Sequence, residues 1–369
     1  MIGENPNHTA QTKNYGECKV YAENGTIYVD GTDNCGLESG VAYLASILTD
    51  AETVNLDSST LSFTDALQGR ETYVDDSSAF LPCYRYSYSL LEEELSFENK
   101  VKLLNEPTGR TMLIAHRGDH IYYPENSLEA NISAYFCGTD STEVDIQQTK
   151  DGVWICMHEN NLNRTTNFSQ MKGRNGLPNS AAISDWTLEQ IRQLRLLDTY
   201  GEVTPFVIPT LEEVLVACNN KIFVHLDKTF SYQDDIFPIM EELSTYDCVY
   251  LCNHVGYDDI VTNRDYFKDK NVTLQNLLRT WDSQTFETYA TKLTSEDAAI
   301  TPALVYINDY EKNTDSDKEC VQKFAGRLRI ATWMMAVDDE YYWRDAQSYG
   351  FNFLMTNNPI TLLMDIHRQ

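Results

Sequence analysis

The sequence from residue 111 onward predicts an α/β fold, a (β/α)8 TIM barrel that follows a small N-terminal β/α appendage. Short, nearly continuous apolar runs recur in this part of the chain: MLIAH, TEVDI, VWICMH, IFVHL, CVYLC, ALVYI, RIATWMM and FNFLMT. Amphipathic segments separate several of these runs, which is typical of a parallel sheet covered by helices. Eight such units in about 260 residues match a (β/α)8 barrel, and an open doubly wound sheet is the alternative.

The first 110 residues have a different pattern. The stretch CKVYAENGTIYVDG predicts two strands joined by a tight turn at Asn24 and Gly25. GLESGVAYLASIL and SLLEEELSFENKVKLLN each predict a helix. No residues of this segment cluster in a catalytic way. We therefore predict two domains, an appendage of the kind a truncated accessory module would form (residues 1–110) and the barrel (residues 111–369).

Helix starts within the barrel segment support this assignment. Thr187 is followed three residues later by Gln190, and Thr210 by Glu213. Both pairs have the form of a capping box, in which the two side chains satisfy backbone N–H groups of the first helical turn. The sequence therefore predicts helices that begin at these two threonines.

The composition excludes several classes of function. The chain has 28 Lys and Arg against 56 Asp and Glu, so its formal charge is 28 − 56 = −28. Such a surface repels nucleic acid and anionic lipid headgroups, so an anionic small-molecule substrate would need a local cluster of cations or a metal ion. The nine cysteines show no zinc-site spacing.

The sequence says little about location or assembly. The opening MIGENPNHTA does not read as a signal peptide, and no apolar stretch approaches the ~20 residues of a membrane span. We expect no membrane span and no nucleic-acid partner. Cytoplasmic and secreted or cell-surface locations both stay open, as does the oligomeric state.

Polar side chains converge at the predicted strand ends, where a barrel places its chemistry. They are His116 and Arg117 after the first run, Glu143 and Asp145 in the second, His158 and Glu159 after the third, and Asp227 and Lys228 after the fourth. Two residues apart on a strand, Glu143 and Asp145 point to the same side. Because adjacent buried carboxylates need a cation between them, and because oxygen ligands suit hard ions, the pattern predicts a Mg²⁺ or Ca²⁺ site.

A metal ion, two imidazoles, a guanidinium and an amine together suit phosphoryl transfer. The cations neutralise charge on the phosphate oxygens, and the two histidines serve as base and acid. Each residue taken alone has a simpler explanation. His116 is equally compatible with a buried core histidine, and the two carboxylates with a structural ion-pair network. Their joint occurrence in chain order at successive strand ends favours a catalytic site.

Several motifs resemble those of the glycerophosphodiester phosphodiesterase family. They are HRG, PENS, EVDIQQTKDGVWICMHENNLNRTT, IPTLEEVL and the ending ATWMMAVDDE…GFNFLMTNNP, and the resemblance covers about Met112 to Ile366. It implies a (β/α)8 hydrolase that uses a divalent metal ion to cleave phosphodiesters of glycerol or related alcohols.

The resemblance also implies roles for individual residues. His116 and His158 match the catalytic acid/base pair, and Arg117 matches the guanidinium that clamps the phosphate. Glu143 and Asp145 match metal ligands. Glu125 matches a loop carboxylate that orients the basic pair or joins the metal site. Trp333 is placed either as a stacking wall for the alcohol or as a core tryptophan.

Two departures from the family pattern leave questions open. The family commonly has Glu-x-Lys where this chain has His225-Leu226-Asp227-Lys228. We expect Asp227 as a third metal ligand and Lys228 as a phosphate contact, but strand alternation would point them to opposite sides unless a bulge or the strand end turns both inward. His225 is the alternative inward residue. Glu159 replaces the usual Asp and is expected to orient the His158 imidazole.

These features predict a phosphoric diester hydrolase whose substrate is a small phosphodiester, giving glycerol 3-phosphate and an alcohol. One rival is a phospholipase-type barrel that acts on lipid headgroups. The other is an inactive barrel that binds glycans or wall polymers.

Overall fold

The computed structural model describes residues 18–23, 26–31, 61–62, 96–253, 256–259, 261–262, 276–297 and 304–367. The chain separates into two compact units, Met1–Leu91 and Glu92–Gln369. In the first unit, β1 (Cys18–Glu23), β2 (Thr26–Gly31) and β3 (Leu61–Ser62) form an antiparallel sheet in the order β2-β1-β3. The two predicted hairpin strands are present. The turn residues between them and the helix predicted in GLESGVAYLASIL lie outside the described residues.

The second unit contains the remaining described strands and helices. The strands are β4 (Met112–Ala115), β5 (Ser141–Val144), β6 (Ile146–Gln148), β7 (Trp154–Cys156), β8 (Phe223–Asp227), β9 (Val249–Asn253), β10 (Asn276–Thr280), β11 (Leu304–Asp309), β12 (Arg329–Trp333) and β13 (Phe353–Thr356). The helices are α1 (Phe97–Asn105), α2 (Leu128–Phe136), α3 (Phe168–Met171), α4 (Leu188–Ile191), α5 (Leu211–Cys218), α6 (Gln233–Glu242), α7 (Ser283–Leu293), α8 (Asp315–Gln322), α9 (Glu340–Tyr349) and α10 (Pro359–His367). Short 3-10 turns cover Ile183–Asp185, Phe230–Tyr232, Tyr310–Lys312 and Met335–Val337.

A closed parallel barrel is the core of this unit, as the sequence predicted. Its strand order is β10-β11-β12-β13-β4-β5-β8-β9, and β9 pairs with β10 to close it. Both predicted capping boxes are present, at Thr187 for α4 and Thr210 for α5. No helix among the described residues is long and apolar enough to cross a bilayer.

One predicted barrel strand is wrong. VWICMH supplies β7, which pairs antiparallel with β6 in a separate two-stranded hairpin. The five residues between Gln148 and Trp154 are too few for a parallel crossover, which needs a dozen or more. The missing barrel strand is β10, whose sequence NLLRT was not recognised because a charged residue interrupts its apolar run.

Strand alternation separates the barrel interior from the layer under the helices. On β8, Phe223 packs with interior residues such as Ile114 and Tyr250, whereas Val224 and Leu226 pack with the outer helices. His225 and Asp227 share the inward face with Phe223. The inward face of β8 therefore leads from an apolar core to a polar strand end.

Helix α1 packs into the amino-terminal end of the barrel. Its Leu104 belongs to the interior core, and its fully buried Lys100 donates through Nζ to the Thr139 carbonyl at 2.6 Å. Arg329, the first residue of β12, is also fully buried and donates to the Leu103, Glu106 and Arg110 carbonyls. Helix α1 thus packs with the barrel, within the unit Glu92–Gln369.

Candidate active site

The chain reverses direction directly after β4, and this turn positions two predicted site residues. The backbone N–H of His116 donates to the Thr356 carbonyl at 3.0 Å, and Arg117 and Gly118 follow with left-handed φ angles of 55° and 78°. A Cβ at Gly118 would lie 2.6 Å from the Ala130 backbone, so only glycine fits. The Arg117 N–H donates to Glu143 Oε2 at 2.9 Å.

The PENS loop (residues 124–127) docks onto the end of β5 through Asn126. With φ at 58°, Asn126 accepts the Asp145 N–H at its Oδ1 (3.0 Å) and donates from Nδ2 to Asp145 Oδ2 (3.1 Å). This pair of hydrogen bonds fixes the Asp145 carboxylate. Sequence reasoning quoted Asn126 within the motif but gave it no role.

Three carboxylates meet at the carboxyl end of β5 and β8. One oxygen each from Glu143, Asp145 and Asp227 lies within 4.8 Å of the other two. Burial and the charges of the other two carboxylates raise the pKa of Glu143, and burial raises the pKa of Asp145 against the opposing effect of His158 and Arg117. A buried all-oxygen group under mutual repulsion fits a hard divalent cation. We call these three residues the acidic group.

Asp227 and Lys228 converge although they are adjacent in the sequence. Lys228 follows β8 with a left-handed φ of 54°, and its Nζ lies 2.7 Å from Asp227 Oδ2. Arg279 on β10 donates from Nη1 to Asp227 Oδ1 at 2.9 Å. Burial raises the pKa of Asp227, but His225, Arg279 and Lys228 together outweigh it, so the pKa is lowered. Arg279 was missed because its strand was missed.

His116 lies beside Glu143 on one flank of the acidic group. Its Nδ1 is 2.8 Å from Asn357 Oδ1 and its Nε2 is 4.0 Å from Glu143 Oε2. Its ring centroid is 4.5 Å from that of Trp333, which is partly buried. Burial and the Arg117 charge lower the His116 pKa to about 3. His116 is therefore neutral at physiological pH, with Nδ1–H donating to Asn357 and Nε2 left as the acceptor.

His158 belongs to the other flank, close enough for its charge to act on Asp145. It follows the β7 hairpin strand, so it does not come from a barrel strand as predicted. Its Nδ1 is 3.1 Å from Glu159 Oε1. The two predicted imidazoles thus lie near different members of the acidic group, His116 near Glu143 and His158 near Asp145.

An arginine that sequence reasoning missed joins the two loops. Arg164 donates to both oxygens of Glu159 (2.8 and 2.7 Å) and to both oxygens of Glu125 (2.7 and 2.6 Å). Glu125 also accepts from Arg117 Nη1 at 3.0 Å, and Arg117 Nε lies 3.3 Å from Asp145 Oδ2. Although burial opposes it, the hydrogen bonds from Arg164 and the Arg117 charge lower the Glu125 pKa to about 2. Glu125 therefore contacts both Arg117 and Arg164.

Comparison with known proteins identifies the family of this chain. The Glycerophosphoryl diester phosphodiesterase family matches residues 116–361. The glycerophosphodiester phosphodiesterase of Caldanaerobacter subterraneus is 36% identical over 116 residues, 31% of this chain and 43% of that protein. That of Bacillus altitudinis is 41% identical over 106 residues, 28% of this chain and 39% of that protein. The chain thus spans less than half the length of these two relatives.

Two solved structures share the barrel fold. A glycerophosphoryl diester phosphodiesterase from Parabacteroides distasonis superposes with a TM-score of 0.58 at 21% identity, over 74% of this chain and 92% of that one. A phosphodiesterase from Oleispira antarctica, in complex with the product sn-glycerol-3-phosphate, gives 0.50 at 19% identity, over 70% and 97%. At these identities the likeness concerns the fold. Since the family match takes in 246 of the 369 residues, from 116 to 361, the chain belongs to the glycerophosphoryl diester phosphodiesterase family.

Proposed function

We propose that the protein hydrolyses small phosphodiesters, with glycerophosphodiesters as the substrate class, and releases glycerol 3-phosphate and an alcohol. The observation that carries the proposal is the acidic group with His116 near Glu143, His158 near Asp145 and Arg117 against Asp145. Family membership and the product bound to the Oleispira antarctica phosphodiesterase support the choice of substrate class.

The acidic group would hold one divalent cation through Glu143, Asp145 and Asp227. The bound ion would supply positive charge to the phosphate oxygens as negative charge develops on them. The all-oxygen ligands favour Mg²⁺ or Ca²⁺. Glu125, which the resemblance also allowed as a ligand, would instead hold Arg117 and Arg164 in place.

Two cationic side chains would bind the diester. Arg117 has five N–H donors and uses two of its nitrogens on Glu125 and Asp145, so others remain for a phosphate oxygen. Lys228 is two-thirds exposed at its side chain, so its amine can turn from Asp227 towards a phosphate. Trp333, beside His116, would form an apolar wall for the glycerol carbons.

The two histidines would move the proton. His116 is neutral with Nε2 as acceptor, so it would take the proton from the nucleophile. His158, whose Nδ1 faces Glu159, would deliver a proton from Nε2 to the leaving alkoxide. The nucleophile is either water or the adjacent glycerol hydroxyl, and the second route passes through a cyclic phosphate.

Replacement of His158 by Ala tests this assignment. We expect the turnover of a glycerophosphodiester to fall by about 10²–10⁴-fold, because the leaving alkoxide loses its proton donor. The measurement is kcat for glycerol 3-phosphate release. Asn160→Ala, an exposed position two residues on in the same loop, is the matched control and should keep normal turnover. A His158→Ala protein with kcat within threefold of the parent would refute the role of this histidine.

A substrate with a good leaving group separates the two histidines. Bis(p-nitrophenyl) phosphate releases a phenolate that needs little protonation, so His158→Ala should lose much less activity on it than on a glycerophosphodiester. His116→Asn should lose activity on both, because every nucleophile needs its base. Equal losses for both variants on both substrates would contradict the division of roles.

A further inference from the structure

A buried histidine directly below the acidic group has no evident partner. His225 is 1% exposed, and neither ring nitrogen has a hydrogen-bond partner among the described residues. Its ring stacks on Tyr250 with centroids 4.9 Å apart and planes 15° from parallel. Burying an imidazole N–H and a ring acceptor without partners is unfavourable, so such a side chain points to something that binds it.

Strand register places two more ligand types beside this ring. Asp227 is two residues further along the same face of β8, and Cys252 is opposite Asp227 on β9. One ligand atom from each of His225, Asp227 and Cys252 lies within 4.8 Å of the other two. All three belong to the barrel wall, so rigid backbone holds them.

We propose that His225, Asp227 and Cys252 form a second cation site, which shares Asp227 with the acidic group and binds a borderline divalent ion of the Zn²⁺ type. Imidazole nitrogen, carboxylate oxygen and thiolate sulfur are together the ligands that Zn²⁺ and Co²⁺ prefer, and three protein ligands leave one position open. Mg²⁺ and Ca²⁺ bind such a set poorly, so the two sites select different ions although they share Asp227.

The cations already on Asp227 do not block this site. A carboxylate has about four lone-pair positions, and Arg279 and Lys228 use one on each oxygen. Arg279 would then act as an outer partner that orients the ligating carboxylate. Because Cys252 would lose its thiol proton on binding, the ion would add a formal charge of 2 − 1 = +1 beside the acidic group.

The absorption spectrum of bound Co²⁺ detects a sulfur ligand directly, and the measurement does not depend on enzymatic activity. Protein stripped with a chelator is titrated with Co²⁺ while excess Mg²⁺ occupies the acidic group. We expect a near-ultraviolet thiolate-to-Co²⁺ band that saturates at about one equivalent per chain. A wild-type protein that shows no such band at saturating Co²⁺ would overturn the proposal, and buried water would then satisfy His225.

Two variants assign the band to these residues. Cys252→Ala should abolish it, whereas Cys248→Ala should keep it, because Cys248 is equally buried just before the same strand but packs in the outer layer. His225→Phe keeps the stacking on Tyr250 and should weaken Co²⁺ binding by about 10-fold or more. If Cys252→Ala fails to fold, the proposal is tested by the presence of the band in the wild-type protein and by the loss of Co²⁺ affinity in His225→Phe. A band that persists in both site variants would contradict the assignment.

Discussion

At the scale of single residues, unusual backbone angles build the active site. Arg117, Asn126 and Lys228 all have left-handed φ angles, of 55°, 58° and 54°. Such angles cost a non-glycine residue about 1–3 kcal/mol and persist where surrounding contacts fix them. The motifs containing these residues could be recognised in the sequence. Their turns could not, because each depends on contacts with a distant strand or loop.

Arg164 shows that side-chain networks between distant loops are also hard to predict from the sequence. The sequence displays it within LNRTT, but its link to Glu125 joins residues 39 positions apart. Only the fold brings the PENS loop and the loop after β7 together. Strand-end carboxylates and imidazoles are predictable from the order of strands, whereas residues that join two loops are not.

We predict that Arg164→Gln lowers kcat by about 10- to 100-fold and changes KM little. Without the guanidinium, Glu159 loses two hydrogen bonds and no longer holds His158 in place. The measurement is steady-state kinetics on a glycerophosphodiester, together with the pH profile of kcat. Arg174→Gln, an exposed arginine in the same region, is the control. A kcat equal to that of the control would contradict the positioning role.

Glu129 gives a pH-dependent prediction about stability. Burial raises its pKa to about 7 from 4.5, and Glu213 adds to this. The pKa of Glu129 is higher in the folded protein than in the unfolded chain, so its protonated form favours folding. The contribution of this group to the free energy of unfolding is fully present below pH 4.5 and is lost as the pH rises through 7. The shift corresponds to about 3 kcal/mol in the free energy of unfolding.

Glu129→Gln should therefore flatten the decline in unfolding free energy between about pH 5 and 8. Urea unfolding across this range measures it. Glu189→Gln is the control, because Glu189 occupies the same second helical position in α4 but is exposed. Identical pH profiles for the parent and Glu129→Gln would disprove the prediction.

At the scale of elements, apolar runs and capping boxes predicted most of the barrel, and two errors have physical causes. β7 resembles a buried parallel strand because its residues are buried, with Trp154 and Cys156 packed in the same cluster as α5. β10 was not predicted because Arg279, inside it, pairs with Asp227 of another strand. Periodicity reports burial, but it does not report the partner of a strand.

Helix α1 is attached to the barrel by side-chain hydrogen bonds as well as by apolar packing. Arg329 donates to carbonyls of residues 103, 106, 110 and 352, so it joins the helix and the chain after it to the barrel. Arg329→Met should leave these carbonyls without their donor and lower the unfolding free energy by about 3 kcal/mol. Arg327→Met, two residues earlier and exposed, should change it little.

Urea unfolding measures both variants, and amide hydrogen exchange of α1 shows whether this helix detaches first. A loss below about 0.5 kcal/mol in Arg329→Met, similar to a surface substitution, would show that α1 is held by apolar packing alone.

At the scale of the whole molecule, the protein carries a formal charge of −28 yet is proposed to bind an anion. Positively charged side chains at the site offset this negative charge locally. Arg117, Lys228 and Arg279 contact the acidic group, and a divalent ion within it would make the site positive. The sequence indicated carboxylates and cations at the strand ends. It did not indicate Arg279, because only the closed barrel brings this residue to Asp227.

The most direct test of the account is metal-dependent hydrolysis of a glycerophosphodiester by chelator-treated protein, measured beside Glu143→Gln. We predict that chelation abolishes glycerol 3-phosphate release, that Mg²⁺ or Ca²⁺ restores it in the parent, and that neither ion restores it in the variant. Full turnover in the presence of excess chelator, or equal restoration in Glu143→Gln, would contradict the claim that the three carboxylates hold the ion on which catalysis depends.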